Sequence, residues 1–84
     1  MTEPVLGCIL YHSGHRSPYI LLRCDEPTDN HLDLVEKSQM LGRFRTHLDA
    51  MDHLQSINKK HGWVYLSPEE EALALALILS KYED

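Results

Sequence analysis

The chain has 84 residues, 43% of them apolar and 25% charged, with thirteen Asp and Glu against eight Lys and Arg for a net charge of −5. That length suits one small domain, 1–84, of marginal stability by itself, and the apolar content excludes a disordered tail. The negative balance disfavours non-specific attraction to nucleic acid or anionic lipid, so the expected partner is neutral or basic.

Val5 to His12 and Ser17 to Cys24 are β-rich runs on either side of Ser13-Gly14-His15-Arg16, whose Ser and Gly suit a turn, so the first predicted unit is a hairpin. Alternation places Leu6, Cys8, Leu10, Ile20, Leu22 and Cys24 on one face as core. Ile9, Tyr11, Tyr19, Leu21 and Arg23 take the other. Asp25 to Glu36 reads as a connection with a short turn of helix at most. Ser38 to Arg45 reads as a third strand, with Met40 and Phe44 to one side, Leu41, Arg43 and Arg45 to the other, and Gly42 as a weak point or bulge.

Thr46, three residues before Asp49, caps a helix expected to run to about His61 and to stop at Gly62, with Lys59 and Lys60 at its negative end. Trp63 to Leu66 follows as a short strand. Ser67-Pro68-Glu69-Glu70 is a capping box with proline at the first helical position, so a terminal helix begins there. Its leucines fall on two sides, Leu73 and Leu77 against Leu75 and Leu79. One side covers the protein's own sheet. The other needs a second cover, either another copy of the chain or the first helix. The fold class is therefore α+β: a small, mainly antiparallel sheet in the order β-β-β-α-β-α, with two helices packed on one face.

The longest apolar run, Ala72 to Leu79, is eight residues, against about 20 needed to span a bilayer, and Met1-Thr2-Glu3-Pro4 lacks the basic start of a secretory leader. The expectation is a soluble, cytoplasmic protein. Cys8 and Cys24 sit among aliphatics and read as core residues; with His12 and His15 they also make a weakly spaced zinc set on the hairpin, the metal-binding alternative. His47 and His53 are six apart and share no helix face, and His61 reads as a residue at the helix end. The four glycines are scattered, with neither a phosphate loop nor a nucleophile elbow, so no catalytic residue, cofactor or metal is assigned.

Two surfaces remain. Asp25, Glu26, Asp29, Asp33 and Glu36 concentrate five carboxylates in one connection, extended by Glu69, Glu70 and Glu71, and fit a basic groove on a larger protein. Tyr11, Tyr19, Arg23, Arg43 and Arg45 share an outer sheet face if the third strand pairs beside the hairpin, a set suited to stacked bases and phosphates or to a protein contact. The expected function is a non-catalytic acidic regulator or inhibitor of a larger, nucleic-acid-handling protein, in the manner of a phage-type inhibitor of host defence. The alternative is a single-strand nucleic-acid module. Leu73, Leu75, Leu77 and Leu79 mark the expected homodimer interface.

Overall fold

A computed structural model describes residues 5–26 and 28–82; the leader reading of Met1 to Pro4, and Pro27 of the acidic connection, lie outside the described residues. Seven elements follow in order: β1 (Val5–Tyr11), β2 (Tyr19–Cys24), α1 (His31–Lys37), β3 (Gln39–Phe44), α2 (His47–Ile57), β4 (His61–Trp63) and α3 (Pro68–Tyr82). The strands form one sheet in the order β3-β2-β1-β4.

The hairpin forms as its alternation requires, Leu6 opposite Cys24 through Tyr11 opposite Tyr19. The rest of the sheet departs from expectation. It is mixed, because β4 pairs parallel to β1, Val5 with His61 through Gly7 with Trp63. Since β3 lies at the far edge, α2 must cross the sheet to deliver β4, as a connection between parallel strands requires.

That crossing also corrects the placing of the helices. Among the described residues there are three, and they cover both faces. Cys8, Leu10, Ile20 and Leu22 pack against Val35 of α1 and Ala74 and Ile78 of α3. On the reverse face Leu21 meets Ala50 and Leu54 of α2, with Ile9, Leu41, Phe44 and Trp63 around them. Ile20, Leu21 and Leu22 are consequently all fully buried. Three consecutive apolar residues in a strand are the pattern of a sheet covered on both sides, whereas a one-sided sheet would have put a polar residue at the middle position.

The bounds of α2 and β4 shift for a local reason. Asn58 is in extended backbone and caps α2 with its N–H to the Leu54 carbonyl at 2.8 Å, ending the helix at Ile57. Lys60 then accepts from the Val5 N–H at 3.2 Å, which draws His61 to Trp63 into the sheet. Gly62 is a strand residue facing Leu6 and not a helix stop. In β3 the pairing slips between Leu21 and Leu22, so that Leu22 faces Met40 while Leu21 faces Gly42. A bulge reverses alternation beyond it: Met40 joins the α1 and α3 core, whereas Phe44 joins the α2 core.

The connection after β2 is more ordered than a bare loop. Asn30 caps α1, its side chain accepting from the Asp33 N–H at 3.1 Å, and Leu34 and Val35 anchor the helix. A seven-residue helix is not stable alone, and α3 holds it. Lys81 Nζ donates to the carbonyls of Glu36 at 3.2 Å and Ser38 at 3.1 Å, satisfying groups that α1 leaves open at its end.

Candidate functional site

The five acids of the connection divide by partner. Arg23 donates from Nε and a terminal nitrogen to the two oxygens of Asp25, at 3.0 and 3.2 Å. Lys37 lies 3.3 Å from Asp33, one helical turn away, and 3.8 Å from Glu26. Its pKa is raised, first by the hydrogen bond it donates to Asp33 and then by the Asp33 and Glu26 charges. Asp33 also accepts from the Thr28 hydroxyl. Asp29 and Glu36 are exposed. Arg23 and Lys37 thus stand among five carboxylates, which leaves the segment net negative, with Asp25 and Asp33 held by hydrogen bonds.

α3 extends this charge. Ser67 Oγ accepts from the Glu70 N–H at 3.2 Å, and Glu70 returns a carboxylate to the Ser67 N–H at 3.0 Å, completing the capping box. The second oxygen of Glu70 meets His31 Nδ1 of α1 at 2.9 Å. This contact joins the starts of the two helices, so Glu70 of α3 and the acids of the connection form one acidic rim. The Ser67 N–H, followed by His31, holds the Glu70 carboxyl below its ordinary value of 4.5. A carboxyl depressed in the folded state adds stability that is fully present above the unfolded value and is lost as pH falls through the folded one. Glu70→Gln is therefore expected to lower stability at neutral pH and to flatten the acid limb below about pH 4.5, variant and parent converging as the carboxyl takes up its proton, as urea melts across that range would read.

The tyrosine and arginine set does not assemble as expected. Tyr11 and Tyr19 are neighbours, ring centroids 5.2 Å apart, but α2 stands beside Tyr19, with His47 edge-on to its ring at 5.8 Å. Arg43 sits opposite Ile20, hence on the α1 and α3 side, and its guanidinium lies 3.3 Å from His12 Nδ1. The bulge in β3 accounts for this reversal. Arg23 is engaged by Asp25, and Arg45 is exposed beyond the end of β3.

In place of that flat platform there is a cleft of about 220 Å³ at the open end of the sheet. Tyr11, Tyr19, His47, Met51, Trp63 and Tyr65 line most of it, with Glu71 contributing the carboxylate. Sequence reading missed it because its walls come from β1, β2, α2, β4, the β4–α3 connection and α3. The density of tyrosine and tryptophan at strand ends was its only trace. A second recess, lined by Tyr11, Leu66, Pro68, Glu71, Ala72 and Leu75, lies across the same edge.

Of the four α3 leucines, Leu75 and Leu79 pack into the monomer's own core beside Ala74 and Ile78. Leu73 and Leu77 remain outside, 55% and 42% exposed. The neighbour of α3 is α1 and not α2, so the helix is not enclosed between the sheet and α2. Both cysteines are free and buried. Burial, with the Glu71 charge adding to it, pushes the Cys8 thiol up to about 12, and Cys24 donates to the Glu26 carbonyl at 3.1 Å. His12 and His15 stack on each other at 5.6 Å on the turn, while Cys8 points into the core. Among the described residues no group of three His, Cys, Asp or Glu could jointly hold a metal ion, and no helix is long and apolar enough to cross a membrane. No family model, curated protein or solved structure matches the chain.

Proposed function

We propose that this protein is a non-catalytic acidic regulator or inhibitor that engages a basic surface of a larger protein, one that itself handles nucleic acid. The observation that carries the reading is the His31–Glu70 contact, which joins the segment of Asp25, Glu26, Asp29, Asp33 and Glu36 to Glu70 at the start of α3. A rim of carboxylates steers a positively charged partner and sets its orientation, and apolar contacts nearby add burial. Exchanging the five acids of the connection for their amides is expected to reduce capture of the partner from host lysate to background. The wild-type capture should weaken steeply with salt. Undiminished capture by the amide variant would reject the reading.

The single-strand nucleic-acid alternative draws less support, because Arg43 lies on the other face from Tyr11 and Tyr19 and Arg23 is already paired. The proposal also includes self-association through the Leu73 and Leu77 stripe of α3, supported by their exposure. Light scattering at high micromolar concentration is expected to give the dimer mass, and Leu73→Glu with Leu77→Glu to return the monomer. A monomer mass for the wild type removes this part.

A further inference from the structure

β1 is longer than its parallel partner. Pairing with β4 ends at Gly7, yet β1 continues to Tyr11. The direction of its backbone groups follows from three hydrogen bonds. Val5 N–H donates to Lys60, and the Gly7 carbonyl accepts from Val64 at 2.8 Å, so the odd residues address the β4 side. His12 N–H donates to Pro18 at 2.7 Å, so the even residues address β2. Ile9 and Tyr11 therefore direct N–H and C=O groups to a side where, among the described residues, no backbone partner stands. Elsewhere such a group is covered: the Met40 N–H on β3 donates to the Tyr82 hydroxyl at 3.2 Å. An uncovered stretch of strand edge is a template for another strand.

The surroundings fit that occupant. A strand added beside β1 places successive side chains on opposite faces of the sheet. The cleft floored by Tyr19, Met51 and Trp63 lies on the α2 side of this edge, and the recess of Pro68, Ala72 and Leu75 lies on the α3 side. Tyr11, Leu66 and Glu71 border both. Neither is lined by a lysine or arginine, and the carboxylate common to the two is Glu71. Tyr11 and Tyr65 stand 48% and 78% exposed at the rim, where an aromatic face and a carboxylate together attract a cation.

We propose that the Ile9–Tyr11 edge receives an extended segment of a partner protein by strand addition, with an apolar side chain in the aromatic cleft and an adjacent lysine or arginine held by Glu71. This rests on the protein-binding reading but concerns a different surface from the acidic rim, and it names a backbone conformation that the rim does not require. Partner backbone would supply the ladder bonds missing at Ile9 and Tyr11, and side-chain alternation would supply the register.

The probe is a short peptide of alternating lysine and valine, titrated into the intact chain and followed by amide-resolved NMR. The Ile9 and Tyr11 amides are expected to shift together, and their exchange with solvent to slow about tenfold, as for newly formed ladder bonds. The same peptide with every second amide N-methylated should bind at least about tenfold more weakly, having lost ladder donors. Glu71→Lys should reverse the preference towards a glutamate–valine peptide. Ile9 and Tyr11 amides unmoved at millimolar peptide, or equal binding of the N-methylated form, would overturn the proposal. If the amide variant of the acidic rim loses partner capture while this edge stays silent, strand addition falls and the regulator reading stands; a responsive edge with capture untouched by the amides gives the reverse.

Discussion

Replacing Gly7 by alanine is expected to destabilise the protein by about 3 kcal/mol, the upper range for forcing a methylene into a packed core, and to lower Tm by on the order of 15 °C for a domain of this size. Gly7 lies on β1 under α2, and a Cβ there would run into Leu54 Cδ2 and stand 2.9 Å from the Trp63 ring. Neither neighbour can withdraw easily. Leu54 is fully buried in the α2 core, and Trp63 is the β4 residue paired with Gly7 itself. The absence of a side chain is what lets α2 and the tryptophan meet over the strand. A double-mutant cycle sharpens the test, since Leu54→Ala alone should cost about 3 kcal/mol but vacates the space that the new methyl needs. The pair should then fall short of the sum by about 1 kcal/mol. A Gly7→Ala variant as stable as its parent would mean that α2 does not lie on this strand.

Ile78→Ala is the second large expectation, at about 3 kcal/mol for a fully buried residue that leaves a cavity. Ile78 belongs to the α3 cluster on the opposite side of the sheet from Leu54. Two truncations separated by a layer of strands share no cavity, so Ile78→Ala and Leu54→Ala should add to within about 0.5 kcal/mol. Their combined loss approaches the whole stability of about 5 to 10 kcal/mol expected of a small domain, so the double variant should be largely unfolded without added denaturant. Urea titration of the three variants checks this. Strong coupling between the two sites would place both side chains in one core and contradict the layered arrangement.

Local chemistry in the sequence was enough to place the hairpin and the cap of α3. Alternation in Leu6 to Leu10 and Ile20 to Cys24 fixes the pairing, and Ser67 with Glu70 forms the reciprocal bonds that the spacing required. Both depend on residues only a few positions apart. What sequence reading missed depends on distance along the chain. The parallel pairing of β4 with β1 rests on contacts between Val5 and Lys60, which no local pattern encodes. The second covered face is hidden because alternation simply assigns Leu21 to the outer face with Tyr19 and Arg23, whereas Ile20-Leu21-Leu22 taken as a run is the signal. Arg43 was misplaced by one bulge, since a single extra residue in β3 sends every later side chain to the other face.

The candidate surfaces follow the same division. The acids of the connection lie close together in sequence and are therefore visible, although their joining to α3 through His31 needed the folded chain. The aromatic cleft and the open edge beside Ile9 belong to no single segment. They exist because β4 is only three residues long while β1 has seven.

The clasp that Lys81 makes on the Glu36 and Ser38 carbonyls bears on how the protein is born. Translation delivers the hairpin first, but its two greasy sides are covered by helices made later, and α1 waits for a lysine more than forty positions downstream. Nascent chains should therefore stay open on the ribosome and close in one cooperative step once α3 has emerged. Until that moment chaperones would meet the hairpin face that Ala74 and Ile78 of α3 later cover.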